Sequence, residues 1–135
     1  MAAKKKNFTL TSSDKSSTVQ LENVEYLGSG TYDCELHADS NGFMCKRTFS
    51  FDNDEYFLAK LNALLNNNEG EAELMDMSAD SFIRFRPFDE EQLLLTGYLV
   101  EHTQVTHSIE FAFSIRKKDI KKFVGDFEKM VRSSV

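Results

Sequence analysis

The chain's 135 residues leave room for one ordinary domain with a real core, and too little for two. Hydrophobic residues at 41% and charged residues at 28% exclude a disordered chain, and a net charge of −6 argues against a nucleic-acid partner. No apolar run approaches the roughly 20 residues of a membrane-spanning helix, so no membrane partner is expected.

The opening MAAKKKNF carries positive charge but no apolar segment behind it, unlike a secretory leader. Residues 1–7 are therefore expected to form a frayed basic tail, residues 8–135 a single domain, and the location to be cytoplasmic. FTLTS and STVQLENVEYL, from Phe8 and Ser17, are rich in β-branched and aromatic residues and read as strands. In the second, Val19 and Leu21 share one face and Val24 and Tyr26 the other. That change of phase predicts a β-bulge near Glu22 and Asn23. Leu27 to Asp33, LGSGTYD, has two glycines but precedes a strand, so it reads as a turn and not a phosphate cradle. Tyr32, Cys34, Leu36 and Ala38 then alternate with polar residues, Asn41-Gly42 signals a tight hairpin, and Phe43, Cys45, Phe49 and Phe51 share a face on the return.

The period next changes to that of a helix. Asp52, Asn53 and Asp54 are candidate N-caps, and Phe57, Leu58, Leu61, Leu64 and Leu65 form one apolar stripe. Asn66 to Asn68 and Gly70 end it, which places the helix at roughly 54–66. The second half repeats the plan. EAELMDM, SFIRFRPF, QLLLTGYLVE and VTHSIEFAFSI read as strands, the last with Val105, His107, Ile109, Phe111, Phe113 and Ile115 on one face. A second amphipathic helix follows at roughly 119–132, with Ile120, Phe123, Val124, Phe127, Met130 and Val131 in its stripe. The expected fold class is α+β: seven to eight mainly antiparallel strands, in one sheet or a sandwich, covered by two helices. Phe49, Phe51, Leu58, Leu61, Phe111, Phe113, Phe123 and Phe127 are expected to share one core.

Catalytic and metal motifs are missing. GxSxG, HExxH, P-loop and GxGxxG patterns do not occur, so no enzyme activity, no catalytic residue and no cofactor is expected. Cys34 and Cys45 lack the two further ligands of a zinc site and are expected as free, mostly buried thiols. Asp52-Asn53-Asp54 fails as a calcium loop, because Phe57 stands at the sixth position where that loop needs Gly. No metal is expected. His37 lies on the polar side of its strand, His102 in a connection, and His107 on an apolar face, where a satisfied core histidine is the commoner role than a base. IRKKDIKK is the solvated face opposite Ile120 and Phe123.

The acids are the remaining feature. NEGEAELMDMSAD, Asn68 to Asp80, holds five carboxylates, and their alternation suits the wet face of a half-exposed strand. Asp52, Asp54, Glu55, Glu69, Glu71, Glu73, Asp76 and Asp80 form the expected partner-facing set. A small ligand-binding or enzymatic domain, with a pocket between sheet and helices around His107, is the competing expectation.

The order of elements resembles a known group, through FSFDNDEYFLAKLNALLN, GEAELMDMSADSFIRFRP, LTGYLVE and HSIEFAFSIRKKDIKKFVGDFEKMV, from about Phe8 to the end of the chain. It is similar to small bacterial proteins of the wall-associated toxin immunity (WapI-type) group. The resemblance implies a cytoplasmic protein that neutralises a cognate toxin domain, often a nuclease, by direct binding. Immunity proteins diverge fastest at the toxin-contacting surface, so it implies no contact residue. An acidic inhibitor would be steered to the basic cleft of a nuclease.

Overall fold

The computed structural model describes residues 5–102 and 106–134. Four strands, β1 (Lys6–Thr11), β2 (Ser17–Gly28), β3 (Thr31–Ser40) and β4 (Phe43–Phe51), lead into helix α1 (Asp54–Asn67). Four more, β5 (Ala72–Met75), β6 (Phe82–Pro87), β7 (Gln92–His102) and β8 (Thr106–Arg116), lead into α2 (Lys117–Ser133). Each set of four forms its own antiparallel sheet in sequential order, so the fold is α+β with two sheets and two helices.

Local chemistry explains most element boundaries. Asn41 and Gly42 both take positive φ, 53° and 92°, as a two-residue hairpin turn requires. The expected bulge is present: the β2–β3 register skips between Glu22 and Glu25, and Asn23 sits at φ 54°. Its N–H donates to the Asn7 side chain at 2.7 Å. Helix α1 ends on Asn68 in the left-handed region, its N–H donating to the Leu64 carbonyl. Helix α2 starts at Lys117, two residues before the expected Asp119, because β8 passes into it through the extended Arg116 with no intervening loop.

The sheets are joined at both sides. On one, the Ser13 N–H donates to the Ser114 carbonyl at 2.8 Å; on the other, Met77 N–H donates to Ser50 O at 2.8 Å. All eight expected core residues are buried in one cluster that takes in both sheets and both helices. Phe127 of α2 lies 5.4 Å from Phe8, 6.0 Å from Phe51, 5.8 Å from Phe57 and 5.5 Å from Phe123, ring centre to ring centre. Phe57 continues the chain of rings to Phe85 on β6 at 6.0 Å. On the inner face of the second sheet, a Cβ added at Gly97 would stand 2.1 Å from the Phe111 ring, so that ring lies where any side chain would go.

Both cysteines are free thiols. They do not face one another, since Cys34 pairs with Phe49 and Cys45 with Ala38. Burial pushes the Cys34 thiol up to about 12, leaving it an inert core group.

The expectation for His107 needs correction. It is exposed on β8, where it pairs with Glu101 near the far end of the hairpin. At this end of the strand the inward side is open, and along it burial begins only at the half-buried Ile109 and is complete at Phe111. Val105 lies outside the described residues, as does the His102 side chain.

Candidate functional site

The start of α1 is chemically unusual. Asn53 occupies the N-cap position but does not cap with its side chain. Its Nδ2 instead donates to the Glu73 carbonyl at 2.8 Å, tying α1 to β5, and its buried Oδ1 meets no protein donor. The next residue, Asp54, is only 7% exposed. Burial raises its carboxyl above the ordinary 3.8; the negative charges of Glu55 and Asp52 push the same way, and the backbone N–H groups of Asp54 and Glu55 pull against them. No cationic side chain stands among these influences.

Aromatic rings converge on the same place. Tyr32, at the start of β3, is buried and stacked on Phe51 at 5.2 Å, with Tyr26 of β2 at 5.1 Å on it. The Tyr26 hydroxyl accepts from the Gly30 N–H at 3.0 Å, which closes the LGSG turn over the cleft. Burial raises the Tyr32 hydroxyl, Ser134 draws it down, and the charges of Asp54 and Glu55 add to the rise. Tyr56 is 64% exposed, with Lys60 Nζ 5.3 Å from its ring centre. Val131 and Ser134 bring the end of α2 to the far wall.

Together these groups line a cleft of about 510 Å³. Among the described residues, its lining holds the carboxylates of Asp52, Asp54 and Glu55 and three tyrosines, and no Lys or Arg. None of the three acids makes an ion pair with a described residue. The arrangement is chemically suited to an organic cation, which carboxylates attract and tyrosine faces accept.

A buried, unpaired carboxylate lowers stability at neutral pH. Because folding raises the Asp54 pKa, its favourable contribution is present below the unfolded value and is lost as pH rises through the folded one. Asp54→Asn is therefore expected to move the urea midpoint upward at pH 7, with the gap to wild type narrowing as pH is lowered towards 3.8. Urea titrations of both proteins across that range check the sign; a lower midpoint for the variant at pH 7 contradicts it.

The other acids of the expected set do not join this cleft. Glu73 accepts from Arg84 Nε at 2.7 Å and Glu71 lies 3.7 Å from the same guanidinium, while Glu69 is exposed in the α1–β5 connection. Asp76 is 5% exposed and is not a surface acid. It accepts the Ser50 N–H at 2.8 Å and faces Arg47 Nη2 at 3.3 Å. Arg47 Nη1 also reaches Asp80 at 3.1 Å, the Ser81 hydroxyl at 2.6 Å and the Val100 carbonyl. Arg47 stands on the inner face of β4, where it closes the end of the core between the sheets. So Glu73, Asp76 and Asp80 are consumed by structure, and only Asp52, Asp54 and Glu55 converge.

Sequence reasoning missed Arg47 and the three tyrosines. Arg47 breaks the apolar alternation of Cys45, Phe49 and Phe51, and that break was its only signal. A second cleft, of about 700 Å³, gathers Arg116, Lys117, Lys118 and Lys121 at the start of α2 with Glu90 and Glu91. Its mixed charges fit the solvated basic face read from IRKKDIKK.

No protein-family model matches the chain, and no curated protein matches it. A solved structure of the siderocalin Ex-FABP, which functions through dual ligand specificities, is similar at 13% identity and a TM-score of 0.31, over 97% of this chain and 85% of that one. No helix among the described residues is long and apolar enough to cross a membrane.

Proposed function

We propose that this chain is a small binding protein that docks a basic surface of a protein partner at the Asp52–Glu55 cleft, and that the partner is a toxin domain it neutralises inside a bacterial cell. The observation that carries this reading is the set of three carboxylates without ion pairs around an open cleft, on a chain of net charge −6. Charges left unpaired at a surface raise the rate of encounter with an oppositely charged partner, and do so less as salt is added. The toxin assignment is supported by the resemblance of the chain's order of elements to immunity proteins.

The test is to co-express the protein with the toxin domain encoded beside its gene, then follow survival and association kinetics across salt. Asp52→Lys with Glu55→Lys is the informative variant, because both residues are exposed and such changes cost under about 0.5 kcal/mol. Association is expected to slow about tenfold or more and to lose its salt dependence. A wild-type protein that neither binds nor protects removes the reading.

A further inference from the structure

We infer that the tyrosine–carboxylate cleft seats a single guanidinium, presented as an arginine side chain of the partner. This rests on the reading above and says what the cleft recognises.

Asp54 supplies the first argument. It is buried, lines the cleft, and has only neighbouring backbone N–H groups to stabilise its charge. Among the described residues no cation is ion-paired to these three carboxylates, so an arriving one relieves the repulsion that Asp54 feels from Asp52 and Glu55. A guanidinium suits the site better than an ammonium, since its flat face stacks on a ring while its edge donates to a carboxylate.

The rings supply the second argument. Tyr56 already holds the Lys60 ammonium near its ring, so a cation is compatible with its setting. Tyr32, stacked on Phe51 and with Tyr26 tilted against it, is held in place on the opposite wall, which limits the ordering cost of binding.

Helix ends add a smaller effect. The start of α1 contributes about half a positive charge and the end of α2 about half a negative one, so they nearly cancel and the three carboxylates decide the sign.

The probe is N-acetyl-arginine amide, with N-acetyl-lysine amide, tetramethylammonium and acetate as comparisons. Binding is read from tyrosine ring NMR shifts and from tyrosine fluorescence, which is clean because the chain has no Trp. Saturable binding is expected for the arginine compound, several-fold weaker for the lysine compound, and none for acetate. Asp54→Asn should weaken it at least tenfold and Tyr56→Leu severalfold, while Glu71→Gln, outside the cleft, leaves it unchanged. Binding should also fall as pH is lowered through the titration of Asp54, with Asp52, Glu55, Tyr26 and Tyr32 facing the same volume.

No saturable response to the arginine compound, or equal affinity in a folded Asp54→Asn, overturns the inference. Stronger binding of tetramethylammonium than of the arginine compound overturns it too, in favour of an aromatic cage. The same variants tried on the toxin separate the two claims. If the arginine compound is taken and no toxin is bound, the cleft's chemistry stands and the partner reading falls. If Asp54→Asn binds toxin as the wild type does, the partner reading stands and the guanidinium seat falls.

Discussion

Phe127→Ala is expected to destabilise the protein by about 3–5 kcal/mol, a large share of the roughly 5–15 kcal/mol that holds a domain of this size together. Phe127 is fully buried and is the ring at which β1, β4 and both helices meet, through Phe8, Phe51, Phe57 and Phe123. Truncation removes its own burial and opens a cavity that surrounding rings, already held on several sides, cannot close. It also removes aromatic pair contacts worth about 0.5–1.5 kcal/mol each. Phe127→Leu retains part of the volume and should cost less. Phe88→Ala, at an exposed ring, should change stability by less than about 0.5 kcal/mol. Urea unfolding checks the series through the midpoint, with an unchanged slope showing that the folded and unfolded states stay comparable. A loss below about 1 kcal/mol for Phe127→Ala would remove this ring from the centre of the core.

Arg47→Met should cost a similar amount, about 3–5 kcal/mol, for an electrostatic reason. The substitution keeps most of the side-chain length but leaves the buried Asp76 carboxylate without its cation, removes the guanidinium donor from the Val100 carbonyl, and leaves the Ser81 hydroxyl only the Val100 N–H. The penalty comes from the stranded charge more than from the value of the pair itself. Arg47→Met combined with Asp76→Asn is accordingly expected to recover much of the loss. Arg47→Lys is expected to recover little, because one ammonium cannot serve partners divided between Nη1 and Nη2. A double-mutant cycle in urea measures the coupling between the two positions. A coupling under about 0.5 kcal/mol contradicts the clasp, since contacting residues in one network normally exceed that figure.

The two outcomes bear differently on the proposed function. Phe127 and Arg47 lie outside the lining of the acidic cleft, so variants at either should lose binding only in proportion to lost folding. Asp54→Asn is the opposite case, with stability rising while cation binding falls. That trade is expected of a site held in an unfavourable electrostatic state for use.

How much of this was legible in the sequence depended on the range of the cause. The Asn41-Gly42 turn, the bulge near Asn23, the end of α1 to within a residue or two and the burial of the core phenylalanines were all legible in the sequence. Each is set by backbone preference or by side-chain period within a few residues. Asp76, just past β5, was expected on the partner-facing surface, yet it is buried, because its surroundings are set by a residue that local alternation does not reveal. Its partner, Arg47, comes from the other sheet and 29 positions away. The acidic run Asn68 to Asp80 therefore looked like one surface in the sequence, and the fold divides it among two guanidinium groups and solvent. His107 sat on an apolar face by period, yet only the tertiary packing decides where along β8 that face is buried. The cleft was hidden for the same reason: Tyr26, Tyr32, Tyr56 and Val131 belong to four elements, which meet only once the first sheet and both helices are packed. Local order follows from chain chemistry over a few residues, whereas the environment of a charge is set by whatever distant surface closes over it.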